Sequence, residues 1–381
     1  MRGREILGRD PGTGQCIRVL VEDGTITSIE ESEETCDFWI SAGLIDLQVN
    51  GYAGLDFNGE DVVPKTVIEL VRAMLTTGVT CFAPTVITAP ETIILRSLRA
   101  IADARASDSL AATCIPFVHM EGPHISQIDG YRGAHPQEFV RPPSLAEFDR
   151  WQEVCDGLVG LVTLSPHFDG SDDYISALVS RGVYVSIGHT HASPEQIRSA
   201  VDAGARLSTH LGNGIALHIA RHPNPVWSQL ANDQLTATFI ADGHHLPAEA
   251  LKAMVRAKGL GRSLLVSDTV ALAGMPAGRY TVPVGGRVEL SADGRLSMEG
   301  TSTLAGAAIP LVHCIGKAVR MTGWSLADVL KMATRNPGRF VGGRGVLQAG
   351  ARADFIRFHW TGEVAIQEVW LAGELIWSHA A

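Results

Sequence analysis

From residue 43 to residue 268 the chain repeats one pattern: a short apolar run, then a segment of helical length. Eight runs occur, at 43–50, 79–88, 114–121, 160–165, 183–189, 205–210, 235–241 and 263–268. Between them, segments such as 64–77, 193–204 and 247–259 space their apolar residues as amphipathic helices do, the last with Pro247 at a first helical position. Strand and helix in alternation imply a parallel sheet with helices outside it. Eight units over this length predict a (β/α)8 TIM-like barrel. A doubly wound open sheet is the competing architecture. No G-x-G-x-x-G follows the first run, which weakens a dinucleotide-binding version of it.

The two ends of the chain have another rhythm. CIRVLVEDG and TITSIEES near the start, and GVLQAGARADFIRFH and EVAIQEVWLAGELIWS near the end, alternate apolar and polar residues around turns. Asp23-Gly24 is a hairpin signal. We therefore expect residues 1–42 and 346–381 to form one small sheet domain, with the barrel over 43–345.

Barrel enzymes carry their chemistry at the carboxyl ends of the strands, so the residue on which each run ends is informative. The first ends on Gln48 and Asn50, on one face of the strand. The third ends on Glu121, the fifth and sixth on His189 and His210, and the eighth on Asp268. A carboxylate at the end of an apolar strand is costly unless paired or bound to a metal. One carboxylate and two imidazoles suit a mononuclear zinc with an open fourth position. Asp268 is then left to move a proton. The blander alternatives are an N-cap role for Asp268 and an Arg132 partner for Glu121.

Composition bounds the function. A formal charge of −10 argues against nucleic acid as a partner. The N-terminus lacks the apolar core of a signal peptide, and no apolar run nears the ~20 residues of a membrane span. Six scattered cysteines without a C-x-x-C pair fit reduced thiols better than a disulfide framework. The expectation is a soluble cytoplasmic protein with a sizeable core.

These residues sit in motifs that resemble the N-acetylglucosamine-6-phosphate deacetylases of the amidohydrolase superfamily. The segments are AGLIDLQVNGYAG, HMEGPHIS followed by GAHP, SIGHTHAS, STHLGNGI, ADGHH, VSDTVALAGMPAGRY, TSTLAGAA and ATRNPGRFVG, in the family's order. The resemblance implies a barrel with a small β-sandwich built from both termini. It implies Glu121, His189 and His210 as metal ligands and Asp268 as catalytic base and acid. Gln48-x-Asn50 stands where most amidohydrolases have His-x-His, and the fourth run, LVTLSPHF, has no lysine to bridge a second metal. One divalent ion is therefore expected, zinc before iron.

For the substrate, the resemblance maps contacts onto Ala134, His135, Asn213, Gly214, Arg221, His245, Ala305, Gly306 and Ala307. His135 falls near the acetyl carbonyl or a ring hydroxyl, and also enters the catalytic set. Arg221 and His245, with backbone N–H groups near Asn213, would hold a phosphate. In some family members this arginine comes from the neighbouring subunit, so a homodimer is expected; a solvated loop arginine is the alternative. Gly212-Asn213-Gly214-Ile215 departs from the family's usual Asn-Ala-Met, and ALHIARHPNPVWSQL begins unusually rich in histidine. His218, His222 and His244 are expected to be loop histidines.

The implied reaction is hydrolysis of N-acetylglucosamine-6-phosphate to acetate and the amino sugar phosphate. Rivals are the same chemistry on an unphosphorylated or galacto-configured N-acetyl sugar or an N-acyl-D-amino acid, and a barrel kept as a scaffold without catalysis.

Overall fold

The computed structural model of the chain describes residues 3–282, 286–301 and 303–379. The outermost residues of the two terminal segments, 1–2 and 380–381, lie outside that range. The chain enters through β1 (Arg4–Arg9), β2 (Cys16–Glu22), β3 (Thr25–Glu31) and β4 (Trp39–Ala42). Asp23 and Gly24 both adopt positive φ (47° and 77°), the conformation a two-residue hairpin turn demands between β2 and β3.

Eight parallel strands follow: β5 (Leu44–Val49), then, after a small hairpin of β6 (Gly51–Tyr52) and β7 (Leu55–Asp56), β8 (Val79–Ile87), β9 (Val118–Glu121), β10 (Val159–Leu164), β11 (Tyr184–Ile187), β12 (Leu207–Ser208), β13 (Thr236–Phe239) and β14 (Ser263–Leu265). They run side by side in one sheet, β5-β8-β9-β10-β11-β12-β13-β14. The circle closes just past β14, where Val49 bridges to Thr269 and the Asp268 N–H donates to the Gln48 carbonyl (3.0 Å). Every expected run contains its strand, except that β10 begins one residue before the fourth run. The strand of the third run begins late in it, because Cys114 ends the helix Ser109–Cys114.

The expected helices form at Pro64–Thr76, Pro194–Asp202 and Ala248–Lys258. The second begins with a capping box between Ser193 and Gln196. Pro247 caps the third from outside instead of opening it.

Past the barrel strands comes an element the periodicity did not announce: β15 (Gly278–Val282), β16 (Gly286–Leu290) and β17 (Leu296–Met298), an antiparallel sheet with its own core of Leu272, Val288, Leu290 and Leu296. The chain ends in β18 (Phe355–Trp360), β19 (Val364–Leu371) and β20 (Glu374–Ser378). The two β-rich ends join as one seven-stranded sheet, β20-β19-β18-β4-β1-β2-β3. It encloses Ile6, Val19, Ile26, Ile40 and Phe355, and Thr25 bridges to Arg352.

The cysteine expectation needs correction. Cys81, Cys114, Cys155 and Cys314 are buried free thiols, but Cys16 and Cys36 form a disulfide with their Cα atoms 5.9 Å apart. The β2–β3 hairpin folds the chain back so that the entry to β4 passes the start of β2, a proximity that a spacing of 20 residues does not reveal.

Candidate active site

Four side chains from the ends of four strands meet at one mouth of the barrel. Glu121 is the last residue of β9; His189 and His210 lie two residues past β11 and β12, and Asp268 three past β14. His189, His210 and Asp268 all adopt positive φ (47°, 29° and 53°). Non-glycine residues avoid this region, and it persists where the surroundings over-determine it. Here a left-handed turn after each strand swings the side chain toward the barrel axis.

The donor atoms converge tightly. His210 Nε2 lies 2.9 Å from Glu121 Oε1 and 3.1 Å from His189 Nε2, and His189 Nε2 is 3.4 Å from Glu121 Oε1. Tetrahedral zinc sites, with bonds of roughly 2.0–2.1 Å, separate their ligand atoms by about 3.3 Å. The ring orientation also fits a cation. His189 donates its Nδ1–H to the Tyr131 carbonyl (2.9 Å), which turns its Nε2 to the shared point. Two nitrogens facing one point beside a carboxylate are satisfied together by a metal ion. Glu121, His189 and His210 are the one such cluster among the described residues.

Electrostatics follow from burial and pairing. Burial alone would raise the Glu121 carboxyl, but its hydrogen bonds and charge interactions with His189 and His210 outweigh that and hold it well below the usual range. For His210, the Glu121 partner likewise overcomes burial and raises its pKa. Asp268 is pushed up to about 6, first by burial and then by the charge of Glu121. A carboxylate poised there can both take and return a proton near neutral pH.

Gln48 and Asn50 connect these groups. The Gln48 side-chain amide donates to Glu121 Oε1 (2.9 Å) and to Asp268 Oδ1 (3.0 Å), and Asn50 Nδ2 donates to the same Asp268 oxygen (2.8 Å). Oδ1 of Asp268 is thereby committed. Asp268 caps no helix, and Arg132 pairs with Asp129 and the His135 carbonyl, so neither blander alternative holds. His135 stands against His189 with ring centroids 4.5 Å apart, its Nδ1 2.9 Å from the Thr88 hydroxyl. Burial, then repulsion from His189, lowers His135 to about 3, so it is neutral.

A cavity of about 740 Å³ opens over this centre. Of the expected contacts, Ala134, His135, Asn213, Gly214, His245, Ala305 and Gly306 line it. Ala307 does not: it packs in the core and bridges to Thr269. Arg221 also lies outside the cavity of its own chain, exposed on the loop before the helix Pro225–Leu230 with exposed His218 and His222. His244 turns its Nε2 to the Asp293 carbonyl. The structure adds Asp56 and Asn58 from the β7 region and the inner side of the β15–β17 sheet through Val282 and Leu296. Thr88 was legible as the end of the second run; Asp56 gave no comparable signal.

The family model of the amidohydrolases matches residues 39–376. The chain belongs to the amidohydrolase family. Within it, the chain falls among the N-acetylglucosamine-6-phosphate deacetylases. It is 34% identical to the N-acetylglucosamine-6-phosphate deacetylase of Rattus norvegicus, over 89% of this chain and 83% of that protein. It is 31% identical to the N-acetylgalactosamine-6-phosphate deacetylase of Escherichia coli O157:H7, over 94% of each. Among solved structures, the N-acetyl-D-glucosamine-6-phosphate deacetylase of Mycobacterium smegmatis, in complex with N-acetyl-D-glucosamine-6-phosphate, superposes with a TM-score of 0.86 at 26% identity, covering 98% of this chain and 99% of that one. This amidohydrolase is thus a hydrolase of the metal-dependent type, with a cluster able to hold a metal.

Proposed function

We propose that this amidohydrolase removes the acetyl group from N-acetylglucosamine-6-phosphate, releasing acetate and glucosamine-6-phosphate. The observation that carries the reading is the convergence of Glu121, His189 and His210 on one point beside an oriented Asp268. In this reading the three converging residues hold one divalent ion, zinc in preference to iron, since imidazole and carboxylate suit it. Such an ion supplies Lewis acidity, making a water acidic near pH 7 and polarising an acyl carbonyl.

The chain's own groups do the rest. With Oδ1 of Asp268 occupied by Gln48 and Asn50, Oδ2 takes the proton from the attacking water. It returns that proton to the amide nitrogen, a poor leaving group until protonated. His135, accepting the Thr88 hydroxyl proton at Nδ1, carries its own proton on Nε2 and donates it toward the developing oxyanion. Ala134, Asn213, Gly214, Ala305 and Gly306 form the wall against the sugar. Arg221 reaches a phosphate from the neighbouring subunit of a homodimer. Residues 43–345 carry the chemistry, and 1–42 with 346–381 form the supporting sheet domain of a cytoplasmic enzyme.

One observation favours a second reading, an unphosphorylated N-acyl substrate: no lysine or arginine lines the cavity among the described residues. One assay decides both. Acetate release is measured from N-acetylglucosamine-6-phosphate, its galactosamine epimer and the unphosphorylated sugars, with metal content determined on the same protein. The proposal expects one metal per chain and the highest kcat/KM on the glucosamine phosphate. Metal-loaded protein that releases no acetate from either phosphosugar would falsify it.

A further inference from the structure

Three carboxylates line the cavity among the described residues, and the chemistry above uses two of them, Glu121 and Asp268. The third is Asp56, the last residue of β7. It belongs to the wall above β5 and β8, with Asn58 and Ile87. In the order of the sheet, β14 separates that wall from β12 and β13, whose loops carry Asn213 and His245.

The backbone holds Asp56 firmly. Its Oδ1 accepts the backbone N–H of Asn58 (2.8 Å), Gly51 pairs with it across the small hairpin, and the Phe57 N–H donates to the Asn50 carbonyl (3.0 Å). The hairpin is tied in turn to the segment after Asp268. The N–H groups of Gly51, Gly54 and Ala53 donate to the carbonyls of Thr269 (3.0 Å), Ala271 (2.7 Å) and Ala273 (2.7 Å). The two segments approach so closely that a Cβ on Gly51 would lie 2.8 Å from the Ala271 backbone nitrogen.

Burial raises the pKa of Asp56, while the backbone and side chain of Asn58 work against that rise. The Asn58 side chain is itself committed: its Nδ2 donates to the Thr85 carbonyl (3.0 Å) and its Oδ1 accepts the Ile87 N–H (2.9 Å). A carboxylate accepts about four hydrogen bonds, so acceptor capacity is left over on the cavity side. A sugar supplies hydroxyl donors for it. The carboxylate of an N-acyl amino acid has no proton to give.

The position of Asp56 narrows the choice of hydroxyl. In the phosphosugar C2 bears the amide and C6 the phosphate, which leaves ring hydroxyls on C1, C3 and C4. Asp268 returns its proton to the nitrogen on C2, and Asp56 is tied through the backbone to Asn50 and Thr269, which flank Asp268 in space and in sequence. The hydroxyls beside C2 are those on C1 and C3.

We infer that Asp56 is a specificity-determining residue: its carboxylate accepts the hydroxyl on C1 or C3 and so selects a sugar over an N-acyl amino acid. The inference deepens the amino-sugar-phosphate reading above and rests on it.

The test crosses protein variants with substrate analogues. The quantity measured is kcat/KM for acetate release from N-acetylglucosamine-6-phosphate and its 1-deoxy, 3-deoxy and 4-deoxy analogues, with wild type, Asp56→Ala and Asp56→Asn at equal metal content. Asp56→Ala lowers kcat/KM on the parent sugar by about 10- to 100-fold, the range for a hydrogen bond to a charged acceptor. The 1-deoxy or the 3-deoxy analogue is comparably poor with wild type and loses less than about threefold more in the variant, because both deletions remove one bond. The 4-deoxy analogue suffers the full loss, as the parent does. Asp56→Asn keeps an oxygen for the Asn58 N–H and shows the same pattern with smaller losses, which covers an alanine variant that folds poorly.

An equal fold loss on all four sugars, coupling to the 4-deoxy analogue alone, or no loss in either variant overturns the inference. A metal-loaded wild type that releases acetate from neither phosphosugar epimer overturns the phosphosugar reading and this inference with it. Turnover of the phosphosugar without coupling to Asp56 overturns this inference alone.

Discussion

Removing one amide hydrogen bond from Asp268 tests the acid–base reading quantitatively. In Asn50→Ala the 2.8 Å bond to Oδ1 is lost while Gln48 still donates to the same atom. That bond stabilises the ionised carboxylate, so its loss raises a pKa already pushed up to about 6. A hydrogen bond to a charged acceptor contributes about 1.5–3 kcal/mol, and water entering from the cavity recovers part of it. With ~1.4 kcal/mol per unit, the net shift is about one unit upward, to about 7. The base works as a carboxylate, so activity rises with pH through this pKa and the acid limb moves alkaline. The ionised fraction at pH 6 falls from about one half to about one tenth, a loss of about fivefold, whereas at pH 8 both proteins stay about nine-tenths ionised or more. The assay is kcat/KM for acetate release from pH 5 to 9 on protein of equal metal content. A bound cation shifts the limb in both proteins alike, so the difference between them is the readout. A uniform loss at all pH values, or a limb that moves acid, refutes the proton-transfer role of Asp268 held by Asn50.

Gly214→Ala tests the packing around the cluster. Gly214 has φ of 59°, and a Cβ there would sit 2.7 Å from His189 Nδ1. His189 must then leave its Tyr131 bond, and metal affinity falls by about tenfold or more, read by competition with a chelator. Asp46→Asn tests the barrel interior. Burial raises Asp46 to about 7, against about 3.9 in an unfolded chain, so its contribution to stability is full below pH 4 and lost as pH rises through 7. The asparagine lacks that penalty; urea unfolding should show the variant more stable at pH 8, by up to about 4 kcal/mol, and no more stable at pH 4. A gap that does not widen with pH overturns the account.

The ligand set was legible because each member terminates an apolar run, and a charged or imidazole side chain has little reason to stand there in a structure held by burial alone. The same logic marked Gln48 and Asn50, yet only as residues that are not histidine. Their donation to Glu121 and Asp268 depends on the barrel closing β5 against β14, a contact across more than two hundred positions. The β15–β17 sheet was written in GRYTV and GRVEL, which alternate as strands do, but a search for apolar runs passes over alternation. The Cys16–Cys36 pair could not be read from spacing. Arg221 shows a different limit: position in a motif places it near a substrate, whereas the single chain leaves it exposed.

The seven-stranded terminal sheet also sets a schedule for making the protein. β4 runs almost directly into β5, the strand that bears Gln48, and β4 pairs along its length with β18, as Ala42 with Phe355. Those partners leave the ribosome 355 − 42 = 313 residues apart. At roughly 5–20 residues per second, the first β-segment waits about 15–60 s for the strand that completes it. During that interval β4 presents an unpaired edge, and so does β1 beyond its single contact with it. The strand that orients Asp268 finds its own partner early, in β8, while β4 directly before it waits for β18, so a nascent chain arrested before residue 355 holds every metal ligand and lacks the partner of β4.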